Sequence, residues 1–473
     1  MSEPTAFRRS PDQGMPESIR SLTGKLSRKT LPLYLSMLSD TVGGIVTVAV
    51  LGHTKTAELA AYALVIALFN PLLMVVRGSL RGSMPFAAEH EDDASTLAPL
   101  VRDSTWLAIL MGVLGALFLS TLPLLAPGLG VAAPTVAALG LFPLVLAGNM
   151  VVVAIKASVT TLLVALGRNR GVLVISLVTT TSTIGSVPLL VLGVGPLPAL
   201  GLIGAGAAML LVSVVTTVLS QYLLRRHTVL RHHPVGLGAP RWGDVWQIAK
   251  VGLPTGMTLL VKFGTMSVLA LAVARIGPVE AATHQLLVVV TTFAFMPAVA
   301  AAQSAIPLTA RAARDGDRTE VRRTLVAGYL TSLPVIGFSV ALLWVAAAPL
   351  AGLLSADPLV REGVVALVPL LTAVVLADAM QSLPGLGLVA LKNTRPSLYA
   401  FLGCYGLLSA AALPITEHGG LSLLWSAYAV ATFGLVALQI LAFGRLSARV
   451  SRTGAGQEEE RSLEHGPRPG RGR

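Results

Sequence analysis

Five charged side chains lie inside long apolar runs, and their types and positions make them the first candidates for chemistry in this chain. They are Asp40, Arg77, Lys156, Lys262 and Asp378. A charge at the centre of a membrane helix costs about 2.5–3.5 kcal/mol on the insertion scale, so it normally faces a partner or a water-filled cavity. We therefore consider these residues first for carrying a proton or binding a charged solute.

Asp40 lies near the middle of its apolar run. A carboxylate that is partly removed from water holds a proton more readily, which suits a proton carrier; the alternative is a structural carboxylate paired with a cation. Lys262 lies eight residues after Pro254, as Asp40 lies eight residues after Pro32. We hypothesise that Asp40 and Lys262 pair in one access state and separate in the other, the alternative being that each points into its own half of the protein.

Asp378 and Gln381 form a second candidate site for a coupling ion. They are three residues apart and share a helix face, one turn before Pro384. A proline kink frees backbone carbonyls, which together with a carboxylate and an amide can bind Na⁺ or hold a proton. The alternative is that Asp378 balances the charge of Lys262 or Lys156.

Basic side chains supply the candidate substrate cavity. The residues assigned to it are Arg77, Arg81, Lys156, Lys262 and His284. Arg77 and Arg81 are four residues apart and share a helix face, but arginines near a helix end can also extend to lipid headgroups, and His284 can serve in helix packing alone. A cavity this basic favours an anionic or zwitterionic solute, or a phosphate-bearing lipid, over an organic cation.

The composition requires a membrane protein. The chain has 473 residues, of which 54% are hydrophobic and 12% charged, and its mean hydropathy is +0.75. Soluble proteins average roughly 25% charged residues, and apolar runs of about 20 residues, the length that spans a bilayer, recur here throughout. The single cysteine, Cys404, excludes an internal disulfide and a cysteine zinc site.

Apolar runs and their breakers predict an all-α polytopic protein of twelve transmembrane helices. The predicted spans are 31–51, 58–86, 104–126, 135–166, 171–193, 200–224, 252–276, 279–306, 324–349, 362–391, 397–415 and 421–444. They divide the chain into an N-terminal segment (1–30), an N-lobe (31–224), a linker (225–251), a C-lobe (252–444) and a disordered basic tail (445–473).

The distribution of basic residues predicts the orientation. Of the 35 Lys and Arg residues, 29 fall on the side of the two termini, three on the opposite side and three inside spans. The positive-inside rule then places both termini and the linker in the cytoplasm, and residues 1–30 lack the apolar core of a cleavable signal peptide. We expect a multi-pass protein of the plasma membrane, and we assign the net charge of +12 to this topology rather than to nucleic-acid binding.

The two halves of the chain repeat each other at an offset of 225 residues. The segment 163–170 (LVALGRNR) closes the fourth span, and 388–395 (LVALKNTR) closes the tenth; Gly52 and Gly277 follow the first and seventh. Each half has six spans, so both start from the same side. This is a parallel repeat about an axis along the membrane normal, with the substrate path between the lobes around a central cavity.

Loops in corresponding places of the two halves carry opposite charge. An acidic run, Glu89–Asp93, follows the second span, and a basic run, Arg311–Arg323, follows the eighth. Their attraction predicts a contact that closes the cytoplasmic side of the cavity, whereas solvated loop charge is the alternative.

Five segments resemble the multidrug and toxic compound extrusion (MATE) transporters. They are 51–61 (LGHTKTAELAA), 200–208 (LGLIGAGAA), 248–254 (IAKVGLP), 281–285 (AATHQ) and 419–427 (GGLSLLWSA). The resemblance covers roughly residues 30–445. It implies a monomeric antiporter, within a superfamily that includes flippases, that exports small organic solutes by alternating access with H⁺ rather than Na⁺ as coupling ion, among membrane lipids and without a cofactor or a metal.

The chain departs from that family at its coupling residues. The familiar helix-1 aspartate lies eight residues before the glycine of the LG element, which here is Gly44, so Asp40 lies one turn earlier on nearly the same face. The familiar helix-5 Asn/Asp pair has no counterpart in 178–187, which carries hydroxyls instead. The resemblance therefore does not transfer proton coupling residue by residue.

Two other classes were weighed against the exporter. A flippase for a lipid-linked or phosphate-bearing precursor would use Arg77, Arg81, Lys156 and Lys262, whereas a receptor without transport is disfavoured by the repeat. The sequence has no GxxxxGK[ST], HExxH or GxSxG motif, and the resemblance offers no enzyme function.

Overall fold

The computed structural model describes residues 18–128, 132–193, 198–232, 238–355 and 357–464, and within them the chain is helical with no β-strand. Ten long helices follow one another from the start of this range. They are α1 (Ile19–Leu51), α2 (Thr56–Glu89), α3 (Ala94–Leu125), α4 (Phe142–Ala165), α5 (Asn169–Leu192), α6 (Gly201–His227), α7 (Trp242–Ala274), α8 (Pro278–Arg314), α9 (Arg318–Leu354) and α10 (Val368–Ala390).

The last helical stretch, Arg395–Glu464, contains two helices. It bends at Gly420, whose φ of 60° and ψ of −153° lie in a region that glycine adopts without steric cost, so α11 covers 395–419 and α12 covers 421–464. The prediction of twelve crossing helices in two lobes is confirmed: α1–α6 form the N-lobe and α7–α12 the C-lobe. Helix α12 continues to Glu464, where a disordered tail was predicted, because 457–461 (QEEER) consists of good helix formers; residues 465–473 lie outside the described range.

Two predicted spans are divided by short helices. The predicted fourth span contains Ala133–Leu139 followed by α4, and Gly140 between them has a φ of +44°. Pro143, predicted as a kink, instead lies in the first turn of α4, where proline lacks no hydrogen bond. The helix Pro358–Ala366 precedes α10 in the same way, so the division itself belongs to the repeat.

The first helix begins earlier than its apolar run. Helix α1 starts at Ile19 rather than at residue 31, and the Ser18 hydroxyl accepts a hydrogen bond from the Ser21 amide to cap it. Its first turns are amphipathic: Leu22 and Leu26 are fully buried. A helix that extends out of the apolar run is stabilised by such packing, which a search for membrane-spanning hydropathy does not detect.

The ends of α4 and α10 show the repeat in atomic detail. The Arg168 amide donates to the Leu163 carbonyl at 2.7 Å, and the Asn393 amide donates to the Leu388 carbonyl at 3.0 Å. Both are the long bond of a Schellman motif, which requires a left-handed residue just before the donor. That residue is glycine in the N-lobe and Lys392, with a φ of 55°, in the C-lobe.

Aspartates begin the equivalent helices α3 and α9. The Asp93 carboxylate accepts from the Ser95 amide at 2.9 Å, and the Asp317 carboxylate accepts from the Glu320 amide at 2.8 Å. Hydrogen bonds from the Ser95 and Thr96 hydroxyls lower the pKa of Asp93 to about 2. This loop carboxylate therefore stays ionised throughout the physiological pH range.

The lobes meet at the basic end of the bundle, by which we mean the end that carries the start of α1 and the Lys/Arg-rich connections. The C-lobe residues that join the core clusters of the N-lobe all come from the parts of α7–α10 nearest this end. They are Val245, Ile248, Ala249, Ala300, Ala302, Ala305, Ile306, Ala310, Ala327, Leu383 and Ala390. The outer half of the C-lobe has a separate core. A cleft between the lobes therefore faces the opposite end.

Helices α2 and α7 approach so closely at the basic end that their backbones touch. A Cβ atom on Gly82 would lie 2.5 Å from the Gly252 amide nitrogen, and one on Gly78 would lie 2.9 Å from the Gly256 Cα. One on Gly252 would lie 1.8 Å from the Ser79 carbonyl oxygen. Small residues four apart on both helices permit this approach. We call this contact the glycine seam.

Gly252→Ala is expected to destabilise the seam by about 1–3 kcal/mol, because the added methyl group overlaps backbone that cannot move aside. A cysteine at the fully buried Ser83, introduced after Cys404→Ser, should then react faster with a membrane-impermeant maleimide. Gly264→Ala on the same helix is the matched control, since a Cβ there meets nothing within 4 Å. Equal labelling of both variants would show that the seam does not hold the lobes together.

Candidate functional site

One group of candidate residues comes together inside the N-lobe. Asp40 on α1 is exposed, while Arg77 and Arg81 on α2 and Lys156 on α4 are half-buried. The charge of Arg77 acts unfavourably on both Arg81 and Lys156, and that of Asp40 acts favourably on Lys156. Within the described residues none of the four forms a hydrogen bond or an ion pair. They are three cations and one carboxylate that remain free to bind something else.

Helix α5 lines the other side of α1 with hydroxyls. The hydroxyls of Ser39 and Thr180 lie 2.8 Å apart, and Thr180 also donates to the Ser39 carbonyl at 2.8 Å. One turn along α1, a Cβ on Gly43 would contact Thr183 at 3.9 Å. These hydroxyls are used up in joining the two helices, so α5 offers Asp40 no second carboxylate.

The second group lies in the C-lobe, where Lys262 and Asp378 form an ion pair. The Lys262 Nζ lies 2.9 Å from the Asp378 Oδ1, and the two side chains are 13% and 1% exposed. The same ammonium lies 4.7 Å from the centre of the Phe295 ring, a cation–π contact. Of the alternatives weighed for Asp378, the structure contains the pairing with Lys262, and in this state Lys262 is not paired with Asp40.

Two tyrosines that the sequence did not single out surround this ion pair. Tyr405 and Tyr428 are buried, and the charge of Asp378 acts on both. The Thr265 hydroxyl donates to the Tyr405 carbonyl at 3.3 Å, which joins α11 to α7. The Asp378 Oδ2 has no hydrogen-bond partner in the described residues. Buried hydroxyl-bearing rings near the final motif were the available signal, but their contact with Asp378 depends on the packing of three helices.

The remaining predicted residues lie apart from both charge groups. Gln381 is half-buried, and its amide lies 3.1 Å from where a Cβ on Gly385 would stand, near the buried Gln439. His284 is 3% exposed and lies against Trp425, edge to face, with ring centres 5.8 Å apart. His284 thus occupies the packed C-lobe core, not the inter-lobe cleft.

A set of ion pairs joins the lobes at the basic end, and we call it the latch. Arg311 pairs with Glu91, the Arg314 guanidinium donates to the Glu89 carbonyl, and the Lys392 Nζ lies 2.6 Å from the Glu89 Oε2. The predicted contact between the acidic run after α2 and the basic run after α8 is confirmed. Lys392 is an addition from the α10–α11 connection that the charge pattern alone did not indicate.

Lys392 occupies a left-handed position whose N-lobe equivalent is Gly167. A residue with a Cβ costs roughly 1–2 kcal/mol there. The side chain also lies 4.4 Å from the centre of the Phe86 ring, so the strained residue makes two contacts across the lobe interface. The signal for it was present in the sequence, since the repeat aligns a lysine with a glycine.

Replacing Lys392 with glycine or with alanine removes the latch contact in both cases, but only glycine also removes the backbone strain. Lys392→Gly should therefore unfold with a free energy about 1 kcal/mol higher than Lys392→Ala. Thermal unfolding of the two purified variants measures this difference. Equal stabilities would contradict the assignment of strain to this position.

Known proteins with this arrangement of helices are transporters. Residues 254–415 match the MatE family model. A probable multidrug resistance protein NorM from Aromatoleum aromaticum is 26% identical over 410 residues, covering 85% of this chain and 88% of the relative. The chain belongs to the MATE family. The family is one of transporters, in accordance with the membrane-spanning lobes.

Solved structures of this family share the fold. The crystal structure of the eukaryotic MATE transporter AtDTX14 superimposes with a TM-score of 0.82 at 15% identity and covers 93% of this MATE protein and 100% of that chain. A transporter of the wider superfamily from Pyrococcus furiosus, described as having a binding pocket of reverse polarity, gives a TM-score of 0.80 at 15% identity, with 93% and 99% covered. At such identities the likeness establishes the fold alone.

Proposed function

We propose that this MATE protein is a secondary active antiporter that exports small organic solutes from the cytoplasm, driven by H⁺ influx rather than Na⁺. Its curated relatives are described as probable multidrug resistance proteins. The observation that carries the proposal is the unpaired Asp40 in the inter-lobe cleft beside unpaired cations. Export of this kind needs neither a cofactor nor a metal, and a monomer with its surrounding lipid contains all the parts named.

The orientation follows from the basic residues. We place the basic end, with both termini, in the cytoplasm of a cell whose plasma membrane the protein spans, because Lys and Arg accumulate there. The glycine seam and the latch then close the cytoplasmic side, so the structure corresponds to an outward-facing state. Rocking of the N-lobe against the C-lobe, the two units predicted as 31–224 and 252–444, would open the seam and expose the cleft to the cytoplasm.

We assign ion coupling to Asp40 rather than to Asp378 and Gln381. A coupling site must bind and release its ion during each cycle, and Asp378 already has an internal cation, the ammonium of Lys262, at 2.9 Å. Asp40 is exposed to the cleft and bonded to nothing in the described residues. A proton reaching it from outside needs to displace no partner.

A second candidate is a flippase for a lipid-linked or phosphate-bearing precursor. The observation that favours it is the number of unpaired cations on α2 and α4, since three basic side chains exceed what a cationic drug requires. Arginine guanidinium groups bind phosphates in two-pronged fashion.

Transport in proteoliposomes tests the main proposal. Purified protein is reconstituted, an inwardly or outwardly directed pH gradient is imposed, and the flux of matched fluorescent cations and anions is measured with and without a Na⁺ gradient. Flux that follows the pH gradient and ignores Na⁺ supports the antiporter. Movement of a labelled lipid-linked phosphate without any gradient-driven solute flux would replace it with the flippase.

A further inference from the structure

The charges of the N-lobe group carry information on the substrate that the family does not supply. Arg77, Arg81 and Lys156 oppose a single carboxylate, so the group has a net charge of about +2 when Asp40 is ionised. No other charged side chain occurs in residues 171–192 of α5 or in the rest of α4. The excess positive charge therefore has no counter-ion in the parts of the lobe that surround it.

Such an excess is unstable unless a ligand completes it. Partly desolvated cations that repel one another raise the free energy of the empty site, and an anion within reach of all three relieves that repulsion. The two arginines are one turn apart on α2, and guanidinium groups hold carboxylate and phosphate oxygens in fixed directions. The first requirement on the solute is thus an anionic group.

Arg81 also connects this site with the part of the protein that must move. It opens a short 3₁₀ turn, Arg81–Ser83, that interrupts α2. The neighbouring residues Ser79 and Gly82 form the glycine seam with α7. An anion on Arg81 therefore acts on the helix segment whose contact closes the basic end, and a 3₁₀ interruption is a common hinge.

The proposed antiport adds a second requirement, on which this inference rests. For antiport, H⁺ and solute must weaken each other's binding, and linkage makes this effect reciprocal. A purely anionic solute near Asp40 would instead favour its protonation, and the two would travel in the same direction. A cationic group placed against Asp40 restores the competition, because H⁺ and the cation cannot both neutralise one carboxylate.

We infer that the solute is a dipolar organic acid, whose carboxylate or phosphate-type group binds Arg77, Arg81 and Lys156 and whose ammonium group competes with H⁺ for Asp40. The ligand enters between Asp40 and Lys156 and offers each side chain a partner of opposite charge. The same chemistry occurs in a soluble zwitterionic acid and in the headgroup of an aminophospholipid, so the experiment includes both sources.

Binding to the purified full-length protein in detergent is measured with three probes built on one fluorophore, bearing an ammonium, a carboxylate or both. As the pH is lowered through the titration of Asp40, the dipolar probe should bind more weakly and the purely anionic probe more tightly. Lys156→Gln and Arg81→Gln should each weaken the dipolar and anionic probes by about tenfold. The ammonium probe and the control Arg275→Gln, an exposed arginine outside the cleft, should show no such loss.

The same variants in vesicles separate the sources and the hypotheses. Gradient-driven flux of the soluble dipolar probe indicates a soluble substrate, whereas faster labelling of phosphatidylethanolamine by a membrane-impermeant amine reagent indicates a lipid. If the two pH slopes have the same sign, or the charge-removing variants bind the dipolar probe as the wild type does, the inference is overturned. Absent gradient-driven flux with opposite pH slopes intact would instead refute the proposed antiport alone.

Discussion

Replacing Asp40 with asparagine should abolish solute flux driven by a pH gradient, to the level of protein-free vesicles. Asparagine has nearly the same size but cannot carry a proton, so the H⁺ gradient is no longer coupled to the lobes. Because Asp40 is exposed and has no hydrogen bond or ion pair in the described structure, the stability of the fold should change by less than about 0.5 kcal/mol. Flux and thermal unfolding are measured on the same preparation.

Two further variants make the Asp40 result specific. Asp40→Glu keeps a carboxylate on the same face of α1 and should retain part of the flux. Asp357→Asn removes a carboxylate that only caps a short helix outside the cleft, and asparagine caps equally well, so its flux should equal that of the wild type. Undiminished gradient-driven flux in Asp40→Asn would transfer the coupling role to another residue.

Removing one member of the C-lobe ion pair should destabilise the protein by about 3–5 kcal/mol, because the remaining charge is left buried and unpaired. Asp378 is 1% exposed, so Lys262→Met leaves a carboxylate with no route to water. Asp378→Asn leaves the ammonium with only the face of Phe295. Both single variants should show a large fall in unfolding temperature in detergent.

The double variant Lys262→Met with Asp378→Leu distinguishes a structural pair from a coupling site. With both charges gone and the volume retained, much of the lost stability should return, since isosteric apolar replacement of a buried pair is often neutral. Gradient-driven flux should return with it if coupling resides at Asp40. A double variant that is stable but has lost only its H⁺ dependence would assign coupling to the C-lobe.

The sequence predicted those features that depend on spacing along one helix or on the repeat. The offset between 163–170 and 388–395 anticipated two Schellman ends with matching hydrogen bonds, and the opposite charges of Glu91 and Arg311 anticipated the latch. The intramembrane charges were likewise visible, because few residues are so expensive in an apolar run.

Pairings between helices distant in the chain could not be predicted. Lys262 had two carboxylates at plausible depth, and only the rotation of α7 and α10 about their axes decides for Asp378 over Asp40. His284 resembled a cavity residue by its position in α8, but the ring of Trp425 covers it. A rotation of one residue turns a helix face by about 100°, which exceeds what span boundaries good to a few residues can specify.

The glycine seam separates what can vary in this protein from what cannot. Gly78, Gly82, Gly252 and Gly256 bring main-chain atoms together, so no change of side chain can improve the fit there and nearly any change spoils it. The charges in the cleft have no such restriction, because each stands on its own turn of helix and none of the seam atoms depends on them. A lineage of such transporters can therefore exchange the ions of its cleft, and with them the molecules it exports, while the closure of its inner side stays the same.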